Sequence, residues 1–202
     1  APGGSTGMSR IVGSNVLTMT RVPVVVNGTD SKHKLRVYGG TGTAEACLIT
    51  GGAGTSGATS GTIIIQCAYT HSGAWFVSTA TAGMLEAATS LSASGGKIAV
   101  PAGVHTVYAQ TDLTGFHVAL EGDSQGSAIV LVPPTFDLSG DGVIVLNTAT
   151  DTGCAATSGL CPGAPAVRNL TIRFQNTDTT LYAQLISFPP GISCPLGCVD
   201  AV

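Results

Sequence analysis

Residues 82–134 read AGMLEAATSLSASGGKIAVPAGVHTVYAQTDLTGFHVALEGDSQGSAIVLVPP. This segment opens with apolar side chains that recur at helical spacing, namely Met84, Leu85, Ala88 and Leu91. Because such positions lie on one face of a helix and two glycines follow at 95–96, the spacing predicts a short amphipathic helix over 84–92.

Beyond the glycines, apolar residues alternate with small or polar ones in short runs, at 97–100, 104–108, 116–120 and 128–132. Glycine, proline or aspartate stands between the runs, so the pattern predicts short strands joined by tight turns. The same alternation continues at 142–147 and 167–175. We expect parallel strands over 97–190 whose inward side chains are Ile98, Val100, Leu120, Leu170 and Ile172.

A helix followed by GGKIAVPAGVH and then by LEGDSQGSAIVL resembles the opening of proteins of the pectate-lyase-like right-handed parallel β-helix superfamily. The resemblance covers 82 to about 174. It implies a right-handed parallel β-helix with an N-terminal capping helix. The superfamily includes polysaccharide lyases, glycoside hydrolases, phage tailspikes and carbohydrate-binding proteins, so it specifies a scaffold more closely than a function.

The first eighty residues have a different pattern of apolar residues and turns. Runs rich in Val, Ile and aromatic residues alternate with glycine-containing turns and predict five strands, at 21–26, 34–38, 46–50, 62–68 and 74–78. We therefore predict an all-β chain with a small antiparallel β-domain at 1–80, followed by the capping helix and first β-helix coils at 81–202.

Composition narrows the classes of function. Only 9% of the residues are charged, there are 28 glycines, and the formal net charge is −3. The eight Lys and Arg residues are scattered, which argues against a nucleic-acid partner. No apolar run is long enough for a membrane span, and no cofactor motif is present. The resemblance implies a location that is extracellular or on the surface of a virion.

The six cysteines leave several alternatives open. Close pairs suggest disulfides in Cys154, Cys161, Cys194 and Cys198. Buried free thiols are a second possibility, and a tetrathiolate zinc site is a third, although the spacings are not those of CxxC sites. For the other two cysteines, at 47 and 67, a bridge and a pair of core thiols are equally compatible with the sequence.

Four residues are candidates for substrate binding: Glu121, Thr171, Arg173 and Trp75. In the β-helices that this chain resembles, outward positions on successive coils form one polysaccharide-binding face, and strand parity places Lys97 with the first three on it. Trp75, the only tryptophan, could stack on a sugar ring. The alternative for Trp75 is a place in the core.

The sequence leaves enzymatic activity uncertain and catalytic residues unknown. Glycoside hydrolysis requires two carboxyl groups across the scissile bond. The available aspartates, Asp123, Asp137, Asp141, Asp151 and Asp178, mostly stand in turn-like contexts. The four histidines are dispersed and no metal site is expected.

Two main functions and one less favoured alternative follow from these features. The first is a tailspike-like virion-surface or extracellular protein that binds, and could cleave, surface polysaccharide. The second is a structural fibre or filament subunit, and the third is a free-standing secreted polysaccharide lyase or glycoside hydrolase. Because no cap for the far end of a solenoid is recognisable after Cys194, we expect a homo-oligomer, and the resemblance implies a trimer or a longer stack. The alternative is a monomer whose further coils lie beyond Val202.

Overall fold

The computed structural model describes residues 5–6, 13–19, 26–27, 33–54, 61–91, 96–114, 116, 118–137, 142–146, 166–175, 186–187 and 199–200. The chain divides into two compact units, Ala1–Glu86 and Ala87–Val202.

The first unit contains one antiparallel sheet of seven strands that curls into a half-barrel. Its strands are β1 (Ser5–Thr6), β2 (Gly13–Met19), β3 (Val26–Asn27), β4 (Lys34–Thr41), β5 (Glu45–Gly54), β6 (Gly61–Cys67) and β7 (Ser72–Thr79). Their order is β1-β7-β4-β5-β6-β2, and β3 also pairs with β5. The predicted strands at 34–38, 46–50, 62–68 and 74–78 correspond to β4, β5, β6 and β7. The predicted strand at 21–26 lies outside the described residues except for Val26, and β2 was not predicted.

Alternation along these strands separates a core face from an outer face. On β4 the buried residues are Leu35 and Val37, and on β7 they are Trp75 and Val77. Residues of β5 and β6 complete the same cluster, namely Cys47, Ile49, Ile63, Ile65 and Cys67. Burying one such apolar side chain contributes about 1.5–3 kcal/mol, so this face stabilises the sheet and fixes which residues point outward.

The helix predicted at 84–92 is present as α1 (Met84–Leu91). Met84, Leu85 and Ala88 of its apolar face are buried, and Leu91 is half-buried against Gly96. No helix in the described part of the chain has the length and hydropathy that a membrane crossing requires.

The second unit contains three small sheets in which all strands are parallel. The strands are β8 (Gly96–Val100), β9 (Gly103–Thr106), β10 (Thr111–Asp112), β11 (Val118–Gly122), β12 (Ala128–Val132), β13 (Ile144–Val145), β14 (Ala166–Arg168), β15 (Thr171–Phe174), β16 (Ile186–Ser187) and β17 (Val199–Asp200). The sheet orders are β17-β14-β11-β8, β15-β12-β9 and β10-β13-β16.

The prediction of a right-handed parallel β-helix is wrong. The structure has a curled antiparallel sheet and separate small parallel sheets, with no solenoid detected among the described residues. Solenoids stack structural repeats of about 20–45 residues, and a fixed period along the sequence is their signature. Here Ile98 pairs with Leu120, and Leu120 pairs with Val167. The sequence separation of the first pair is less than half that of the second pair. The predicted role of α1 as a solenoid cap is corrected together with the solenoid.

The inward side chains of the parallel strands largely follow the predicted alternation. Ile98, Val100, Leu120 and Leu170 are buried, as expected. Ile172 is only half-buried. Local alternation therefore identified the inward positions even though the architecture built from them differs from the prediction.

Candidate functional site

The outer face of β4 carries polar and aromatic side chains that alternate with its two core residues. The strand reads Lys34-Leu-Arg-Val-Tyr38, and its burial alternates in step, so Lys34, Arg36 and Tyr38 share one face of the sheet. The neighbouring strand β7 runs antiparallel to it and brings Phe76 opposite Tyr38. One side of the first unit thus presents two cationic side chains and two aromatic rings.

Tyr38 and Phe76 form an aromatic pair. Their ring centroids lie 5.7 Å apart with planes tilted by 33°, a separation typical of favourable aromatic contacts. Phe76 is 48% exposed, which is unusual for so large an apolar side chain. The Cζ atom of Arg36 lies 4.7 Å from the Tyr38 ring centroid, within cation–π range. We call Arg36, Tyr38 and Phe76 the aromatic face.

Gly39 allows the Phe76 ring to lie where it does. Its φ is +79°, in the left-handed region, and a Cβ at this position would stand 3.0 Å from Phe76 Cδ2. The register between β4 and β7 also shifts between Gly39 and Thr41. A side chain at residue 39 would therefore strain the backbone and push the ring away, so the glycine helps to position the aromatic pair.

Trp75 occupies the opposite side of the sheet from its neighbour Phe76. It is 2% exposed and belongs to the core cluster, and its Nε1 is buried without a hydrogen-bond partner. Both ring faces are closed to solvent. The predicted stacking of Trp75 on a sugar is therefore corrected: the core alternative holds, and the accessible ring belongs to Phe76.

The other predicted binding residues lie on two separate parallel sheets. Lys97 and Glu121 are on β8 and β11, where Lys97 Nζ lies 3.2 Å from Glu121 Oε2 in a partly exposed ion pair. Thr171 and Arg173 are on β15. The Thr171 hydroxyl donates to the Gln125 carbonyl, whereas Arg173 is exposed. The structure thus does not bring these residues onto one sheet, and binding by Glu121, Thr171 or Arg173 stays a prediction.

A polar cluster centred on Glu45 stabilises the connection between β6 and β7. The backbone N–H groups of Ala68 and Tyr69 each donate to its carboxylate at 2.7 Å. His71 Nε2 lies 3.0 Å from Glu45 Oε1, and the His71 side chain is fully buried with no partner for Nδ1. One carboxylate thus satisfies three groups just before the strand that carries Phe76.

Cys47 and Cys67 form a disulfide between β5 and β6. This decides between the two alternatives that the sequence left open for them. Their sulfurs and a Glu45 oxygen lie within 4.8 Å of one another, but disulfide sulfurs are not the thiolates that metal ions need. The four cysteines predicted to form disulfides, Cys154, Cys161, Cys194 and Cys198, lie outside the described residues.

The aspartates considered for catalysis have turn-like environments where the structure describes them. Asp123 is exposed and its carboxylate is 3.4 Å from the Ser127 hydroxyl, which donates to it. The Asp137 backbone N–H donates to the Tyr108 carbonyl at 2.8 Å. Asp141, Asp151 and Asp178 lie outside the described residues.

The aromatic face was not among the sequence predictions, although a signal for it exists. In a strand, Trp75 and Phe76 must point to opposite sides of the sheet, so one of the two rings faces outward. The same parity places Lys34, Arg36 and Tyr38 together. The Glu45–His71 contact has no comparable signal, because it joins residues 26 positions apart.

Comparisons with known proteins find no relative of this chain. A scan against protein-family models finds no match, and neither do searches of curated proteins and of solved structures. The resemblance to the pectate-lyase-like superfamily stays a prediction, and function must be inferred from the site itself.

Proposed function

We propose that this chain is an extracellular or virion-surface protein that binds polysaccharide through the aromatic face of its first unit. The observation that carries the proposal is the Tyr38–Phe76 pair, which presents a half-exposed ring on the outer side of a stable sheet. Contiguous apolar groups exposed on a protein surface commonly mark binding sites.

The chemistry of the face suits a sugar ring. A pyranose presents C–H groups on its flat sides, which pack against an aromatic ring, and hydroxyl groups around its edge. The phenol of Tyr38 and the guanidinium of Arg36 are hydrogen-bonding groups beside the rings, and Gln66 is exposed on the same side of β6. Apolar contact would supply affinity, and the polar groups would orient the ligand.

The disulfide between Cys47 and Cys67 supports a location outside the reducing cytosol. The small share of charged residues is also compatible with a protein that works within an assembly.

We also propose that the chain acts as a homo-oligomer, a trimer or a longer stack. Within the described residues, β8 pairs only with β11 and β9 only with β12. Each of these strands therefore has an edge whose backbone groups could pair with a second copy. Light scattering over a range of concentrations tests this, and a single-chain mass at every concentration would contradict it.

Binding is tested by titrating soluble polysaccharides into the protein in a calorimeter. Phe76→Ala and Tyr38→Ala should each weaken binding at least tenfold, about 1.4 kcal/mol. The matched control is Tyr69→Ala, because Tyr69 is 53% exposed and contributes only its backbone N–H to the Glu45 cluster. Equal affinities for the three variants would refute the site. Release of reducing ends in the same mixtures would extend the proposal to cleavage.

A further inference from the structure

We propose that the cysteine pair of the first unit is a redox-controlled metal site, which binds zinc when Cys47 and Cys67 are reduced and excludes metal when they are bridged. The two sulfurs and a carboxylate oxygen of Glu45 lie within 4.8 Å of one another. His71 Nε2 lies 3.0 Å from Glu45 Oε1 and adds a fourth donor atom. The inference is independent of glycan binding, because Cys47 and Cys67 belong to the core cluster on the side opposite the aromatic face.

The register of two neighbouring strands brings three of the donors together. Glu45 and Cys47 are two residues apart on β5, so their side chains lie on the same side of the sheet. β6 runs antiparallel to β5, and the register that pairs Leu48 with Gln66 places Cys67 opposite Cys47. The carboxylate and the two sulfurs therefore converge on one side of β5 and β6.

His71 contributes its nitrogen from the residue just before β7. Its side chain is fully buried, and its Nε2 contacts the Glu45 carboxylate. Nδ1 of the same ring is buried without a hydrogen-bond partner. A buried imidazole with only one satisfied nitrogen is a costly way to fill space, so such a group calls for a further role. Coordination of a metal through Nε2 supplies that role.

The distances and the donor types suit zinc. Zinc binds nitrogen and carboxylate oxygen at about 2.0–2.2 Å and sulfur at about 2.3 Å in a tetrahedron, so neighbouring ligand atoms lie about 3.3–3.8 Å apart. The contact between His71 and Glu45 is already close to that spacing, and the sulfurs need shifts of about 1 Å toward the carboxylate. The sulfurs must also separate from each other, which the loss of their bond permits. Calcium and magnesium prefer all-oxygen sites, whereas two thiolates and an imidazole favour zinc.

The Glu45 carboxylate is already oriented for this task. The Ala68 backbone N–H donates to Oε2 and the Tyr69 backbone N–H donates to Oε1, each at 2.7 Å. An ionised carboxylate offers about four acceptor positions, so it can keep both hydrogen bonds while one oxygen binds a metal. Hydrogen bonds of this kind orient metal ligands and increase metal affinity.

The redox control follows from thiol–disulfide exchange. Two molecules of a monothiol reductant of the glutathione class convert the Cys47–Cys67 bridge into two thiols and become a disulfide themselves. One zinc ion then replaces the two thiol protons, which pass to solvent. A disulfide oxidant reverses the reaction: it takes two electrons and two protons, the Cys47–Cys67 bond forms again, and zinc is released. In a chain that folds in a reducing compartment, zinc would join β5 to β6 until the bridge replaces it.

The test measures zinc bound by the full chain after reduction with a monothiol and anaerobic removal of the reductant. The remaining cysteines also become thiols under these conditions, so a two-cysteine variant carries serine at 154, 161, 194 and 198. We expect this variant to bind one zinc ion per chain when it is reduced and none when it is oxidised. Cobalt(II) in place of zinc should produce the thiolate-to-metal charge-transfer absorption and the intense visible bands of a tetrahedral ion.

Single substitutions in the two-cysteine variant assign the ligands. Glu45→Gln and His71→Ala should each weaken zinc binding at least about tenfold, since even the hydrogen-bond partners of metal ligands contribute about 10–100-fold. Cys47→Ser should weaken it by more than about a hundredfold, because a thiolate is lost. The matched controls are Glu121→Gln and His105→Ala, which remove a partly exposed carboxylate and an imidazole from the second unit and should leave the affinity unchanged.

The outcomes are separable. Absence of zinc binding after reduction overturns the proposal, and equal binding by the oxidised chain overturns the redox control. Zinc affinity that Glu45→Gln and His71→Ala leave unchanged overturns the assigned ligand set. If the two-cysteine variant does not fold, the natural chain decides: replacing Cys47 and Cys67 together by serine should remove one zinc ion from its reduced form, and an unchanged number contradicts the site. If His71→Ala does not fold, the cobalt spectrum decides, since a spectrum without tetrahedral bands contradicts four-ligand binding.

Discussion

Replacing Glu45 by alanine should destabilise the first unit substantially. The Glu45 carboxylate accepts hydrogen bonds from the Ala68 and Tyr69 backbone N–H groups and contacts His71 Nε2. His71 is fully buried, and its Nδ1 has no partner already. Without the carboxylate, both ring nitrogens of a buried histidine would lack partners.

The magnitude follows from how well water can replace each contact. Ala68 and Tyr69 are exposed, so water satisfies their N–H groups in the variant and each lost bond contributes little. A buried polar group left unsatisfied costs about 1–3 kcal/mol, and a hydrogen bond to a charged group contributes about 1.5–3 kcal/mol. We therefore expect Glu45→Ala to lower the free energy of unfolding by about 2–4 kcal/mol in total. Glu45→Gln, which retains one acceptor oxygen, should lose about half of that.

Urea unfolding followed by tryptophan fluorescence measures this directly. Trp75 is the single tryptophan and lies in the core of the first unit, so its emission reports that unit. Tyr69→Ala is the matched control within the same unit, since it removes an exposed side chain, keeps the backbone N–H that donates to Glu45, and should change the free energy of unfolding by at most about 0.5 kcal/mol. If Glu45→Ala shifted the transition no more than the control does, the assigned role of the carboxylate would be refuted.

Three further perturbations test other parts of the structure. Replacing Cys47 and Cys67 together by alanine should lower stability by about 3 kcal/mol, because the bridge spans 20 residues, and unchanged urea midpoints would contradict the bridge. In the same assay, Gly39→Ala should lower the free energy of unfolding more than Gly73→Ala does. Both glycines have a positive φ, but a Cβ contacts the aromatic pair only at residue 39. Equal losses of stability would argue against that contact. Leu85→Asp should cost several kcal/mol, of order 3 or more, or cause aggregation, since Leu85 is fully buried; unchanged thermal melting would show that the side chain is accessible.

Local alternation in the sequence was sufficient to locate most of the secondary structure. The period of two in Lys34-Leu-Arg-Val-Tyr38 identifies both the strand and its buried side, and helical spacing identifies α1. Both signals depend only on neighbours along the chain, because a strand or helix that buries one face must repeat its apolar residues at that period. The inward positions Ile98, Val100 and Leu120 follow from the same rule.

Strand partners are set by interactions that alternation does not encode. The same short parallel strands fit a regular solenoid or separate small sheets, and the unequal intervals between paired residues are visible only once the pairing is known. For the same reason the sequence suggested a shared face for Lys97, Glu121, Thr171 and Arg173, which the tertiary structure distributes over two sheets.

The candidate site shows the same division between local and tertiary information. Parity along the sequence determines that Trp75 and Phe76 point to opposite sides, but which side is the core depends on the partner strands that supply Leu35, Cys47 and Ile65. The Tyr38–Phe76 pair and the contact between Glu45 and His71 join residues that are distant along the chain. Only the register of the folded sheet brings them together, because contact energies between distant residues depend on the three-dimensional path of the backbone rather than on local residue preference.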